Sequence, residues 1–198
     1  IPMPTEDIKS PFSHFNEWFE DAKQSESVLP EAMSVASVGS DGRPSTRMVL
    51  LKQADEAGFV FYTNLQSRKG DEISANAYVA LLFHWKSLKR QIRIEGPTEP
   101  VTDAEADAYF ASRDRGAQIG AWASDQSQVM TGRFDLEKRV AQFTAKFGVS
   151  KIERPPFWSG FRVVPDRLEF WSDGHFRLHE RLIYIKDGED WRTERLFP

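Results

Sequence analysis

The chain has 198 residues, a formal net charge of −4 and no cysteine. This size suits one domain, and the composition excludes disulfides, thiolate nucleophiles and Cys-based metal sites. Nucleic-acid-binding domains usually carry a basic excess, so the local cation clusters described below indicate small anionic ligands. The sequence has neither an apolar run of membrane-spanning length nor a signal-peptide pattern, and we expect a cytoplasmic protein. Because the chain begins with Ile1 rather than Met, we expect that a leading segment precedes it.

The first half of the sequence predicts helices alternating with strand pairs. Residues 1–9 are polar and contain two prolines, which predicts a flexible N-terminal arm ahead of a single domain over residues 10–198. Ser10-Pro11 marks a helix start, followed by apolar residues at helical spacing. Strands are predicted over residues 32–38, 47–52, 78–85 and 90–100, and a short helix from Ser67 to about Asn76.

The second half predicts two more helices and a run of strands. Thr102 to Glu105 forms a capping box, whose helix should reach Arg113. A second helix covers residues 136–147, and strands are predicted over residues 158–164, 167–171, 177–186 and 191–196. Strands in hairpin-like runs without βαβ alternation predict an α+β, mostly β protein, with an antiparallel sheet that can close into a barrel.

The stretch from Arg47 to Lys69 combines strand patterns with cations. Two apolar runs flank residues 54–58 like the arms of a hairpin, with Arg47 and Lys52 at the ends of the first arm. Their odd separation aims them to opposite faces of a regular strand, so we infer that they serve different ligand groups. Ser67-Arg68-Lys69 opens a helix, where free backbone N–H groups favour an anion. A solvated hairpin with basic rims is an equally good interpretation of this stretch alone.

Arg177, His179 and Arg181 lie at alternate positions of a predicted strand, which places them on one face. Trp171 precedes them across the Asp173-Gly174 turn signal. Two guanidinium groups, an imidazole and an indole suit a planar, anionic, aromatic ligand. The alternative is a solvated strand face with its arginines paired to nearby acids.

Tyr109 and Arg113 are four residues apart on the predicted capped helix, so they are neighbours that can clamp a phosphate. A surface Tyr–Arg contact is the alternative. The four histidines show no metal-ligand spacing, and no metal site is predicted. Gly-rich phosphate loops and the common hydrolase motifs are absent from the sequence.

The ordered set of motifs resembles the pyridoxine/pyridoxamine 5′-phosphate oxidase family over nearly the whole chain. The motifs are residues 47–52, Tyr62-Thr63, residues 67–69, Arg90-Gln91, Tyr109 with Arg113, residues 118–122, Gln126-Ser127, residues 157–162, residues 169–171, residues 177–181 and residues 195–198. Each motif alone is weak, whereas the ordered set is specific. The resemblance implies an FMN-binding split β-barrel with flanking helices that forms a homodimer, with FMN at the interface.

The resemblance also implies the reaction and the contacts. The reaction would be FMN-dependent oxidation of the two phosphorylated B6 vitamers by O2 to pyridoxal 5′-phosphate. The implied flavin contacts are Arg47, Met48, Val49, Leu50, Tyr62, Thr63, Arg68, Lys69, Gln91, Gln126, Ser127, Trp171 and Arg181. The implied substrate contacts are Lys52, Tyr109, Arg113, Arg177 and His179, of which Arg177 and His179 are also the catalytic candidates.

Three positions depart from the family pattern. Ala117 stands where a Ser usually touches the substrate phosphate, which removes a bond worth on the order of 1.5–3 kcal/mol. Glu180 replaces the usual Asp between His179 and Arg181, and His84 stands where Pro is common. Two alternatives stay open: a related FMN oxidase acting on a phenazine-type aromatic substrate, and a non-catalytic protein that binds FMN or pyridoxal phosphate.

Overall fold

The computed structural model describes residues 10–198, so the predicted N-terminal arm lies outside the described residues. The helices are α1 Pro11–Ser25, α2 Arg68–Ala75, α3 Asp103–Ser112, α4 Arg115–Ala123 and α5 Asp135–Phe147. The strands are β1 Ala32–Val38, β2 Pro44–Leu50, β3 Gln53–Asp55, β4 Gly58–Asn64, β5 Tyr78–Trp85, β6 Arg90–Pro100, β7 Trp158–Val163, β8 Arg167–Ser172, β9 Glu180–Asp187 and β10 Asp190–Arg195. None of the helices in this part of the chain is long and apolar enough to cross a membrane.

All strand pairs are antiparallel, and the sheet curls into a half-barrel flanked by the helices, which confirms the predicted fold class. One path through the sheet runs β10-β9-β8-β6-β5-β1-β2, and a second ladder joins β3, β4 and β7. The long strand β6 links the two, because residues 90–95 pair with β8 and residues 98–100 pair with β7. A side chain at Gly96 would place its Cβ 2.1 Å from the carbonyl oxygen of Val164. Glycine therefore permits the close approach at the point where β6 changes partner.

Aromatic residues of α1 fill the inside of the curled sheet. Phe15 is fully buried, with its ring 4.9 Å from Phe59 in β4 and 5.3 Å from Phe83 in β5. Apolar strand residues that alternate inward complete this core, as the pattern of β5 shows with every second side chain buried. The helix predicted from Ser10-Pro11 thus packs its aromatic residues into the core of the curled sheet.

The structure corrects two sequence predictions around the strands. The predicted strand over residues 47–52 ends at Leu50, and β2 pairs with β1 while β3 forms the hairpin with β4. The strand predicted from Arg177 begins at Glu180, because Phe176 and Arg177 have φ angles of 57° and 65°. Left-handed backbone cannot continue a strand ladder, so the predicted common face of Arg177, His179 and Arg181 is wrong.

Two features near the predicted phosphate clamp also differ. Arg113 is the C-cap of α3 with extended backbone, so it lies one residue beyond the helix rather than on its face. The stretch after it forms α4, which the sequence did not predict, with Asp114 as N-cap accepting from the Ala117 N–H at 2.9 Å. The capping box of Thr102 and Glu105 is present with both of its hydrogen bonds.

Candidate functional site

A cleft of about 790 Å³ opens between β2, β4, β7 and the α3–α4 corner. The predicted flavin contacts that line it are Met48, Val49, Leu50, Tyr62, Thr63, Lys69 and Gln126, and the predicted substrate contacts are Lys52, Tyr109 and Arg113. Residues that are up to about 80 positions apart in sequence therefore meet in one cavity. The fold brings residues of β2 and β4 together with the Tyr109–Arg113 pair.

Lys69 provides a buried cation in the lining of this cleft. It follows the α2 N-cap Ser67, and its Nζ donates to Thr63 Oγ1 at 2.9 Å, Ser67 Oγ at 3.1 Å and Gln126 Oε1 at 2.7 Å. All three acceptors are neutral. Burial, followed by the nearby positive charge of Arg47, lowers the pKa of Lys69 to about 8. An anion that enters the cleft would therefore favour the protonated, charged form of the Lys69 amine.

Arg47 and Arg68 converge on a different group, the carboxylate of Glu72. Arg47 Nη2 lies 2.9 Å from Oε2 and Arg68 Nε lies 2.8 Å from Oε1, while the hydroxyls of Ser37 and Ser45 also donate to Oε2. Although burial opposes it, these hydrogen bonds lower the pKa of Glu72 to about 2. Neither arginine lines the cleft, so their predicted contact with the flavin phosphate stays a prediction.

Three nearly parallel aromatic rings form part of the wall of the cleft. The Tyr62 ring lies 4.2 Å from that of Tyr109 and 5.3 Å from that of Trp158, with interplanar angles of 17° and 5°. Lys52 Nζ is 5.9 Å from the centre of the Tyr109 ring, and the Arg113 guanidinium is 4.9 Å from that of Trp158. Arg47 and Lys52 thus have different surroundings, but Lys52 lies beyond the end of β2, so their spacing on one strand is not the cause.

The remaining predicted flavin contacts of the sheet form a second cluster. Gln91 in β6 pairs with Trp171 in β8, which pairs with Arg181 in β9, so the three form one cross-strand row. Arg181 Nε donates to the buried Glu169 at 2.8 Å, and this hydrogen bond raises the pKa of Arg181. In the sheet, β5 and β1 lie between β6 and β2, and none of the three residues of this row lines the cleft.

Of the two catalytic candidates, only His179 is in contact with the second cluster among the described residues. The His179 ring is 4.8 Å from that of Trp171, and its Nδ1 lies 3.1 Å from Asp173 Oδ1 and 3.3 Å from the Gly174 N–H nitrogen. Arg177 is exposed in the left-handed turn that precedes it. Ser127 also lies outside the cleft, on an exposed segment with a φ of 71°. The structure therefore places ten of the predicted residues in the cleft and four in the second cluster, while Arg47, Arg68, Ser127 and Arg177 belong to neither.

Several cleft residues were not singled out from the sequence. They are Asn64, Ser112, Asp114, Gly120, Ala121, Ser124 and Trp158. Trp158 lies within the motif of residues 157–162, and its position beside Gly160 was the available signal. Ala117, the departure from the family pattern, lines the cleft beside Arg113 and offers no side-chain donor there.

Comparisons with known proteins agree with this arrangement. The family described as "Pyridoxamine 5'-phosphate oxidase" matches residues 20–147, and the "Pyridoxine 5'-phosphate oxidase C-terminal dimerisation region" matches residues 158–198. The chain is 58% identical over 197 residues to the pyridoxine/pyridoxamine 5'-phosphate oxidase of Caulobacter vibrioides, covering 100% of this chain and 89% of that protein. It is 56% identical over 201 residues to that of Rhodospirillum rubrum, covering 99% and 100%.

Solved structures show the same fold. PhzG from Burkholderia lata 383, in complex with tetrahydrophenazine-1-carboxylic acid, superposes with a TM-score of 0.92 at 32% identity, covering 100% of this chain and 98% of that one. An FMN-binding protein from Nostoc punctiforme superposes with a TM-score of 0.77 at 16% identity, covering 96% and 99%, which supports the fold alone. The cleft, the matched regions and the relatives together show that the chain belongs to the pyridoxine/pyridoxamine 5′-phosphate oxidase family.

Proposed function

We propose that the protein oxidises pyridoxine 5′-phosphate and pyridoxamine 5′-phosphate to pyridoxal 5′-phosphate, with FMN as cofactor and O2 as electron acceptor. The reaction releases H2O2 and, from the amine, ammonia. The observation that carries the proposal is the cleft with three cations, Lys52, Lys69 and Arg113, that form no salt bridge within residues 10–198. Unpaired cations around aromatic walls suit a flat ligand with phosphate groups. Relatives of 55–58% identity carry the name of this oxidase.

The chemistry of the donor set fits FMN. Lys69 Nζ and the first N–H groups of α2 form an anion site suited to the cofactor phosphate. Met48, Val49 and Leu50 supply the adjoining wall of the cleft. When bound, FMN supplies the hydride acceptor and the reaction with O2, while the chain supplies binding and orientation.

A complete site needs two copies of the chain. The Gln91–Trp171–Arg181 row lies on β6, β8 and β9 and does not line the cleft, so the cleft of one chain lacks these implied flavin contacts. We infer a homodimer in which the second copy places this row, with Arg177 and His179, over the cleft. The match of residues 158–198 to a dimerisation region supports this arrangement, because it includes β8 and β9.

Each group of residues then has a defined task. Lys52, Tyr109 and Arg113 anchor the substrate phosphate at a distance from the reacting carbon, which fixes the orientation of the ring. Arg177 and His179 cover the ring from the second copy, where the imidazole exchanges a proton with its polar groups. Arg181 places positive charge beside the flavin. These tasks are positional and electrostatic, as expected for a cofactor-dependent oxidase.

Anaerobic mixing tests the proposed function. Purified protein loaded with FMN should lose its flavin absorbance, at about 450 nm, within one turnover after addition of pyridoxine 5′-phosphate. Admission of O2 should then restore the absorbance and release H2O2. Unphosphorylated pyridoxine is the matched control and should react far more slowly. If the phosphorylated vitamers leave the flavin oxidised, the oxidase proposal fails and a binding protein is the better interpretation.

A phenazine-type substrate is the second candidate, favoured by the similarity to PhzG. Tetrahydrophenazine-1-carboxylic acid, the ligand named for that structure, has a carboxylate but no phosphate. The three unpaired cations argue for the phosphorylated vitamers, while Ala117 removes one phosphate contact that the family usually has. The same anaerobic experiment with the tricyclic acid distinguishes the two candidates. If the tricyclic acid reduces the flavin and the phosphorylated vitamers do not, the phenazine-type substrate is favoured.

The affinity for FMN should depend on the ionisation of Lys69. The protonated amine attracts the cofactor phosphate, so affinity should be highest below the pKa of about 8 and fall as the pH rises through that value. Fluorescence titration with FMN from pH 7 to 9.5 should show a loss approaching tenfold per pH unit. Lys69→Gln should bind more weakly and without this dependence, whereas Lys151→Gln, at an exposed lysine outside the cleft, should behave like the wild type. An equal pH dependence in Lys69→Gln would contradict the assignment.

We further propose that residues 10–198 act as one FMN-binding domain, which the single continuous sheet from β1 to β10 supports. The proposed location is the cytoplasm, and the absence of cysteine is compatible with a reducing compartment.

A further inference from the structure

Arg113 differs from four other arginines with limited exposure in what holds it. Arg47, Arg154, Arg162 and Arg181 each form a salt bridge with a carboxylate. Arg113 forms none within residues 10–198, and its Nη1 is buried without a hydrogen-bond partner. The adjacent Asp114 carboxylate is engaged as the α4 cap, where it accepts from the Ala117 N–H. Arg113 therefore forms no direct ion pair among the described residues, and Asp114 stabilises its charge only from a longer distance.

Aromatic faces take the place of the missing carboxylate. The Arg113 guanidinium carbon lies 4.9 Å from the centre of the Trp158 ring and 5.8 Å from that of Phe110. Trp158 is 6% exposed and its ring meets Phe110 edge-on at 5.2 Å, so its orientation is fixed by packing. A desolvated indole is the strongest aromatic partner for a cation. A π-face attracts the guanidinium without neutralising it, which a carboxylate would do.

Gly160, which lies two residues after Trp158 in β7, allows the rings of Tyr62 and Trp158 to pack together. A side chain at Gly160, the residue opposite Tyr62, would place its Cβ 2.8 Å from the Tyr62 ring. Without a side chain there, the Tyr62 ring lies against β7 and packs nearly parallel to Trp158. The wall of three rings thus aligns Tyr109 and Arg113 along one side of the cleft.

We propose that Trp158 is a positioning residue that sets the preference for phosphorylated over unphosphorylated substrate, by holding Arg113 against its ring face with its charge unpaired. This inference deepens the proposed function and rests on it, since it assumes that Arg113 meets the substrate phosphate. It assigns no chemical step to Trp158. The indole would affect ligand binding by holding Arg113, and not by the general packing of the cleft.

Paired binding measurements on the FMN-loaded protein test the proposal. Trp158→Leu should raise the Kd for pyridoxal 5′-phosphate about tenfold, the size of a desolvated cation–π contact, and Trp158→Phe about threefold. Neither variant should change the Kd for pyridoxal, which has no phosphate. In kinetics, the KM for pyridoxine 5′-phosphate should rise while kcat stays within about twofold, because a lost ground-state contact is uniform binding. Trp122→Leu is the control, because Trp122 is a partly buried tryptophan of the same hydrophobic cluster that does not line the cleft. It should leave both Kd values unchanged.

A double-mutant cycle separates this role from a structural one. In an Arg113→Met background, Trp158→Phe should have no further effect on pyridoxal 5′-phosphate binding, because the two residues act as a unit. Additive losses, or equal losses for pyridoxal and pyridoxal 5′-phosphate, would overturn the proposal. If Trp158→Leu does not fold, Trp158→Phe alone decides by the same comparison. Failure of the wild type to reduce its flavin with pyridoxine 5′-phosphate would instead count against the proposed function.

Discussion

Arg113→Met should lower kcat/KM for pyridoxine 5′-phosphate by about three orders of magnitude. The guanidinium can donate two charge-assisted hydrogen bonds to a phosphate, each worth about 2 kcal/mol, and methionine offers neither. The methionine side chain still covers the ring of Trp158, so the fold should be retained. Steady-state oxidation of the phosphorylated vitamers, with FMN content measured in parallel, checks the result.

Two controls make this prediction specific. Arg115→Met changes the neighbouring arginine, which donates to the carbonyl oxygens of Ser150 and Gly148 outside the cleft, and it should leave kcat/KM unchanged. In mixed dimers of Arg113→Met and His179→Ala chains, one of the two sites would be intact. Random mixing of these inactive variants should therefore recover about a quarter of wild-type activity. The absence of recovery would show that Arg113 and His179 serve a site from the same chain.

Glu72→Ala should destabilise the protein by about 3 kcal/mol, because it leaves the partly buried Arg47 and two serine hydroxyls without their shared acceptor. For a chain of this size the melting temperature should fall by roughly 10 °C, measured by calorimetry on the protein without FMN. Glu189→Ala, at an exposed glutamate, is the matched control and should change it little. An equal melting temperature for Glu72→Ala and wild type would mean that the cluster contributes nothing to stability.

The pH dependence of this effect has a definite sign. The pKa of Glu72 is lowered from 4.5 to about 2 in the folded protein, so its contribution is present above pH 4.5 and is lost as the pH falls towards 2. Wild type and Glu72→Gln should accordingly converge in stability over that interval. A constant difference across it would indicate that the hydrogen bonds are made equally well by the neutral side chain.

Local patterns in the sequence were sufficient for most elements. The capping box at Thr102 and the alternation in β5 involve neighbouring residues, so the pattern contains the whole signal. The partner of β2 was mispredicted, because strand pairing depends on contacts between residues far apart in sequence. The helix α4 was missed since Gly116 and Gly120 lower its intrinsic helix propensity.

For the site as well, short motifs were visible in the sequence, whereas contacts between residues far apart in sequence were not. The resemblance named ten residues that the structure brings into the cleft, yet Glu72, which pairs with Arg47 across 25 positions, has no signal in the sequence. The left-handed backbone at Phe176 and Arg177 is unusual for non-glycine residues and could not be expected from a strand-like pattern. Trp158 was part of the motif of residues 157–162 but received no role, because a ring that packs in a core and a ring that holds a cation give the same sequence pattern.

The separation of β2 from β6 by two strands has a thermodynamic consequence. If every cofactor is held between two chains, each FMN bound removes free monomer from the association equilibrium. Dimer formation and FMN binding are then thermodynamically linked. FMN binding strengthens the association of the subunits by the same factor by which association strengthens FMN binding. Dilution would empty the sites even at constant FMN, and flavin supply would set the fraction of the protein that is dimeric.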